Sequence, residues 1–171
     1  MNAMKEIKIE KLTLNIGAGK NSVKLEKGMK LLKSITGIDP VKTFTNKRIP
    51  TWELRPGLAI GCKLTLRKDA AKELLPRLLK ARDNKLAERQ FDTTGNLSFG
   101  ITEYVDIPGI KYDPDIGIMG FEVCVTLERN GYRVKRRRMR KASLSKKHII
   151  AKEEAIDFMK KTYMTQIGEE Q

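Results

Sequence analysis

The hydrophobic pattern is clearest between residues 52 and 67. From Leu58 onward Leu58, Ile60, Cys62, Leu64 and Leu66 share one parity, and Ala59, Gly61, Lys63, Thr65 and Arg67 share the other. Side chains alternate across a strand, so a period of two predicts one apolar face and one small, polar, cationic face. Two of those five outward positions carry almost no side chain, two are basic and none is acidic. Such a surface suits a large anion lying close to the backbone.

The same reading places the other elements. Ile7 and Ile9 share one phase and Leu12, Leu14 and Ile16 the other, which predicts a bulge at Glu10-Lys11 inside an N-terminal strand. Thr13 and Asn15 fall on its polar side. A helix is expected from Asn21 or Ser22, either of which can cap it, to a stop at Gly37, with Leu25, Gly28, Met29, Leu32 and Ile35 inward. Lys24, Lys27, Lys30 and Lys33 cover the rest, as a solvated face or a binding one. Residues 41–45 read as a short strand, and 46–52 as a cationic loop tip in which Trp52 is expected to pack at the base. Asp69 is placed as the cap of a second helix with Leu74, Leu75, Leu78 and Leu79 inward, and Pro76 as a kink or a late start. Residues 80–91 show no period and read as a long loop. A strand over 96–105 points Leu97, Phe99, Ile101, Glu103 and Val105 to one side. Pro108, Gly109, Pro114 and Gly117 then make a loop of 106–117. Residues 119–129 are a strand with Phe121, Val123, Val125 and Leu127 inward. Asn130-Gly131 is the signature of a two-residue hairpin turn, which predicts a returning strand from Tyr132. A final helix near 152–164 points Ala155, Ile156, Met159 and Tyr163 inward.

Charge changes the picture from fold to partner. The 171 residues hold 35 Lys and Arg against 21 Asp and Glu, a formal net charge of +14. A domain this basic is expected to meet a polyanion. The charge is concentrated: Arg133, Lys135, Arg136, Arg137, Arg138, Arg140, Lys141, Lys146 and Lys147 fall in a stretch with no acid between Arg129 and Lys147. These residues, with Lys20, are candidate phosphate contacts. Aromatics are 6%, too few for a row of stacking platforms, so a folded RNA fits better than a single strand. No apolar run approaches bilayer length and the N-terminus lacks a secretory core, so an intracellular, cytoplasmic location without a membrane partner is expected.

Candidate chemistry is sparse. Cys62 and Cys124 stand alone in strand patterns and His148 is the single histidine, which reads as two free thiols and no metal site. Gly17-Ala18-Gly19-Lys20 resembles a phosphate loop only in passing. Leu14 stands where a P-loop needs its first glycine, and Asn21 follows Lys20 where Ser or Thr belongs. The turn is read as a strand-to-helix connection whose amides, beside Lys20, could hold one phosphate. No catalytic constellation, metal or cofactor is expected. A binder of folded RNA, a free-standing nucleic-acid binder or chaperone, and a nucleotide-dependent enzyme resting on that turn alone are the alternatives at this point. The fold class expected is α+β, a twisted, mainly antiparallel sheet with helices packed on one face, an open basic face for RNA, a basic hairpin and a C-terminal helix. Residues 1–171 are read as a single domain, with a core of about 6–128 and an extension of about 129–171.

An ordered set of motifs resembles a known family. It comprises Asn15-Ile16-Gly17-Ala18-Gly19, Pro40-Val41-Lys42-Thr43, Leu54-Arg55-Pro56-Gly57 followed by residues 60–67, Arg82-Asp83, Phe91-Asp92 with Gly95-Asn96, and Pro108-Gly109-Ile110-Lys111-Tyr112-Asp113. Together these are similar to the large-subunit ribosomal protein five family, which binds 5S ribosomal RNA. Lys147-His148 and Lys152-Glu153-Glu154-Ala155 resemble its archaeal and eukaryotic branch, where a capping Ser often stands at the position of Ala151. The resemblance implies a non-enzymatic constituent of the central protuberance, monomeric within the ribosome. Its implied partners are 5S rRNA, large-subunit rRNA, P-site tRNA, other central-protuberance proteins and a small-subunit head protein. It implies 5S rRNA contacts at Asn15, Thr43, Lys63, Thr65 and Arg67, and a tRNA-approaching loop carrying Asn46, Lys47, Arg48, Thr51 and Trp52, where Asn46 and Arg48 depart from the bacterial pattern.

Overall fold

A computed structural model describes residues 2–168. Among them the chain forms β1 (Ile7–Gly17), α1 (Ser22–Thr36), β2 (Val41–Phe44), β3 (Ala59–Leu66), α2 (Lys68–Lys80), β4 (Lys85–Ala87), β5 (Leu97–Ile101), β6 (Phe121–Arg129), a single helical turn α3 (Arg133–Arg136), α4 (Lys152–Tyr163) and β7 (Gln166–Gly168). One sheet has the strand order β2-β3-β1-β6-β5, and β4 pairs in parallel with β7. The class is α+β, as the pattern predicts. The residues cluster into two compact units. One holds residues 2–12, Arg67–Ser98 and 125–168, the other Thr13–Leu66 and Phe99–Cys124.

In the second unit α1 packs against β3. Asn21 caps α1 by accepting a hydrogen bond from the Lys24 amide, and Gly37 ends it in the left-handed region at φ +73°. Leu25, Gly28, Leu31, Leu32 and Ile35 are its buried positions. Leu31 is buried where the periodicity put Met29, which is only half-buried. A β-carbon at Gly28 would come within 3.2 Å of the Ile16 side chain and 3.3 Å of Cys62 Sγ, so α1 approaches β1 and β3 closely at this position. Leu97, Phe99 and Ile101 of β5 are buried, but the strand stops there. Tyr104, expected on the polar side, is buried instead, and Val105 is exposed. The Tyr104 hydroxyl accepts from the Asp113 amide at 2.8 Å, which ties the 106–117 loop back to a buried ring.

In the first unit α2 begins at Lys68, with Arg67 at the cap position and Asp69 in the first turn rather than as the cap. Pro76 lies inside the helix, so the late start is not taken. Leu74, Leu75, Leu78 and Leu79 are buried as expected, joined by Ala71. Residues 80–91 are not a structureless loop: they hold β4 and a 3-10 turn at Glu88–Gln90. Their order comes from pairing with residues 166–168, a partner that local periodicity cannot reveal.

The hairpin is also corrected. Tyr132 N donates to Arg129 O at 3.3 Å, so a turn forms, but only Gly131 (φ +95°) has positive φ. That is the pattern of a type II turn, whereas the primed hairpin turn needs positive φ at both central residues. The chain then makes α3 rather than a returning strand. Tyr132 is drawn elsewhere. Its hydroxyl accepts from Ile150 N at 3.0 Å and donates to His148 O at 3.1 Å. Asn130 is held likewise, accepting from Lys8 Nζ (2.7 Å) and donating to Ala3 O (2.8 Å).

Candidate nucleic-acid interface

The β3 alternation holds from Cys62 onward, whereas Leu58, expected inward, is exposed ahead of the strand, and Ala59 and Ile60 are both half-buried. Cys62, Leu64 and Leu66 are buried, while Lys63, Thr65 and Arg67 are exposed. In the register with β2, Thr43 lies opposite Gly61 and Val41 opposite Lys63. Partners directly opposite in a sheet share a face, so Thr43 and Lys63 stand on one polar surface of the second unit. A ladder irregularity between Thr43 and Phe44 leaves Phe44 exposed opposite Ala59. Gly61 itself is buried. A β-carbon there would come 2.5 Å from Ile16 O and 3.1 Å from Thr43 Oγ1, so its smallness serves the neighbouring strand first. Asn15 is half-buried and its amide donates to Glu122 Oε2 at 3.2 Å.

The glycine turn offers less than its sequence suggests. Ala18 N and Gly19 N both donate to Ile60 O, at 2.8 and 3.0 Å, and the Asn21 side chain takes the Lys24 amide. These amides are therefore spent inside the fold and are not a ready phosphate cradle. Lys20 instead pairs with Glu53, and that hydrogen bond and charge hold the exposed Glu53 carboxyl below its ordinary value.

Glu53 belongs to the loop after β2. Leu54 N and Ile49 O bridge at 3.1 Å, closing a tip around a 3-10 turn at Pro50–Trp52. Leu54 is buried and anchors the tip, while Asn46, Lys47, Arg48 and Thr51 are exposed. Trp52 is 68% exposed, not packed at the base. Leu54 supplies the anchor that the sequence assigns to Trp52.

In the first unit Arg67 NH1 approaches Glu10 Oε1 at 3.4 Å. Glu10 also takes Arg136 NH1, and Arg136 NH2 reaches Glu128 Oε2 at 2.6 Å. The basic stretch therefore has compensation that its own sequence does not contain. Ala142 N donates to Val134 O at 3.3 Å and Arg137 Nε to Arg140 O at 2.8 Å, so residues 134–142 close on themselves. Arg133, Lys135, Arg137, Arg138, Arg140 and Lys141 are exposed. Buried Arg129 donates to Glu154 Oε1 at 2.6 Å and to His148 O at 3.3 Å. Glu154 also accepts from Ala151 N at 3.0 Å, and this backbone bond, then Arg129, lowers its pKa against burial. Burial raises the thiol pKa of Cys62 and of half-buried Cys124. Both thiols are therefore poor nucleophiles.

Residues 2–55 match the family model described as ribosomal protein L5, and residues 59–162 match the model of that ribosomal family's C-terminus. The chain is 45% identical over 168 residues to the large ribosomal subunit protein uL5 of Sulfolobus acidocaldarius, covering 98% of this chain and 94% of that one. It is 47% identical over 165 residues to that of Nanoarchaeum equitans, covering 96% and 97%. The chain belongs to the uL5 family.

Against that family assignment, the expected residues fall into two groups. Asn15, Thr43, Lys63 and Thr65 lie in the second unit with the 46–52 loop and Lys20. Arg67 and the basic stretch lie in the first. Sequence reasoning passed over the acids among them. Glu122 and Glu128 share the polar parity of β6 with Thr126, so strand alternation could have found them. Glu10 sits at the phase break of β1, where Glu10 and Lys11 are both half-buried between buried Ile9 and Leu12, and alternation gives no answer there.

Proposed function

We propose that this chain is a structural, non-catalytic constituent of the large ribosomal subunit that binds 5S rRNA and helps attach it in the central protuberance. The family match over both halves of the chain carries this reading, and the exposed cations are its physical counterpart. Residues 1–171 act as one 5S rRNA-binding domain, its core about 6–128 and its extension about 129–171. Residue 1 and residues 169–171 of that range lie outside the described residues.

Asn15, Thr43, Lys63, Thr65 and Arg67 make the 5S contacts. Thr65 and Thr43 offer hydroxyls to phosphate or ribose oxygens, while Lys63 and Arg67 supply charge. Neither Lys63 nor Thr65 is engaged by a described side chain, whereas Arg67 must exchange Glu10 for the RNA. Arg133, Lys135, Arg137, Arg138, Arg140 and Lys141 add phosphate contacts, as does Lys20 after release from Glu53. The 46–52 loop approaches P-site tRNA, its exposed Trp52 ring offering a stacking face beside Lys47 and Arg48. Large-subunit rRNA, neighbouring central-protuberance proteins and a small-subunit head protein complete the partners. The protein is a monomer within the ribosome, in the cytoplasm.

Filter binding to 5S rRNA against a non-cognate RNA of equal length tests the reading. Preference for 5S rRNA at physiological salt is expected, and equal affinity would overturn it. Replacing Thr65 and Arg67 by Ala should weaken 5S binding more than replacing Lys24 and Lys27, with a salt slope reduced by about one for the arginine.

A further inference from the structure

The basic stretch poses a physical problem. Nine of the fifteen residues 133–147 are Lys or Arg, and mutual repulsion favours an extended, disordered chain. The structure nevertheless folds 134–142 into a closed loop through Val134 O and Ala142 N. Its flanks are fixed by the Tyr132 hydroxyl, bonded to residues 148 and 150. In the middle stands Arg136, whose two terminal nitrogens are taken by two different carboxylates, Glu10 from β1 and Glu128 from β6. Both acids are mostly shielded, with side chains 13% and 15% exposed. Lys8 lies 4.0 Å from Glu128, and Arg67 shares Glu10.

A guanidinium whose two terminal nitrogens each donate to a different carboxylate keeps other N–H groups, but its charge is matched by two acids and its position is fixed from two strands before any phosphate arrives. We propose that Glu10, Glu128 and Arg136 form an internal clamp that positions the cationic loop for RNA, and that Arg136 is not itself a phosphate ligand. The inference rests on the 5S rRNA reading. The clamp orders the loop before RNA arrives, so binding does not bear the entropy of ordering Arg133, Lys135, Arg137, Arg138, Arg140 and Lys141. The two acids thus favour RNA binding, although each on its own repels phosphate.

That opposition gives a test by sign. Replacing both Glu10 and Glu128 by Gln adds two units of positive charge and removes the clamp. If the acids only repel RNA, the double variant binds 5S rRNA more tightly. If they position the loop, it binds more weakly, by about tenfold. Arg136→Ala should cause a similar loss in the wild-type background and almost none on top of the double variant, because the three side chains act as a unit. A phosphate contact would instead cost affinity in both backgrounds and lower the salt slope by about one each time.

Limited trypsin digestion of the RNA-free protein supplies a readout that does not depend on the ligand. Cleavage within 133–147, measured against cleavage elsewhere in the same chain, should accelerate alike in the double variant, in Arg136→Ala and, more weakly, in Glu128→Gln alone. The single variant removes only one of the two carboxylates and guards against a general loss of folding. Unchanged cleavage in all three, or tighter binding by the double variant, overturns the clamp. Accelerated cleavage together with no 5S preference in the wild-type protein overturns the functional reading and leaves the clamp standing.

Discussion

A methyl group added at Gly61 would sit 2.5 Å from a backbone carbonyl, that of Ile16, which cannot step aside as a side-chain tip can. Gly61→Ala should therefore destabilise the protein by about 1–3 kcal/mol and, by spreading β3 from its neighbour, weaken 5S binding as well. Gly100 is also in a strand, yet nothing stands within 4 Å of its β-carbon direction. Gly100→Ala should change stability by less than about 0.5 kcal/mol. Equal urea midpoints for the two variants would refute the steric account. The contrast also marks what a residue discloses on its own. The sequence shows that position 61 is small on a polar parity, and an approaching RNA backbone is a reasonable cause. Only the placement of Ile16 and Thr43 reveals that the tightest demand comes from within the sheet. Trp52 teaches the same lesson in reverse: its identity suggests burial, but Leu54 two residues on holds the loop base.

Elements were legible where their boundaries are chemical and local. Asn21 and Gly37 delimit α1 because a capping side chain and a left-handed stop act within one turn, and parity survives in β6 and in β3 from Cys62 onward because one face there is buried. Elements were illegible where distant chain decides them. β4 exists because β7 pairs with it, and the strand expected after Gly131 is replaced by a helical turn because Tyr132 bonds to residues 148 and 150. The join between β6 and α4 is of this kind too. Arg129 closes β6 almost wholly buried, with Nε unpartnered, and Glu154 in the first turn of α4 is its carboxylate partner among the described residues. Glu154→Gln should cost about 1–3 kcal/mol at pH 7, because it leaves a buried cation without its counter-charge; Glu154 is itself half-exposed, which keeps the figure below that of a fully buried pair. The pH dependence follows from the lowered pKa of Glu154. A carboxyl depressed in the folded state contributes stability above its unfolded value, near 4.5, and loses it as pH falls through the folded value. Urea melts of the two proteins should differ at pH 7 and still at pH 4.5, then converge at lower pH. A gap that persists unchanged in acid would show that Glu154 acts by shape rather than charge.

At the scale of the whole molecule, one charge imbalance acts with opposite sign on folding and on binding. A net +14 over 171 residues repels itself in the compact state, and the ion pairs at Glu10, Glu53, Glu128 and Glu154 offset only part of it. Added salt screens that repulsion, so the free protein should melt higher in 200 mM than in 50 mM monovalent salt. A gain of about 1 kcal/mol corresponds to a rise of about 2–4 °C for a chain of this length. The same salt weakens RNA binding, because each phosphate neutralised releases counterions. With six to ten phosphate contacts the 5S affinity should fall by about 10³–10⁵ over that interval. Parallel thermal melts and filter-binding titrations across one salt series measure both slopes. A protein whose cations were merely a solvated surface would show the first slope without the second, and one whose cations were already neutralised by internal acids would show neither. Opposed slopes are expected because Glu10, Glu53, Glu128 and Glu154 hold particular cations in place, while Lys63 of β3 and the exposed Arg and Lys of the 133–147 loop other than Arg136 carry outward charge.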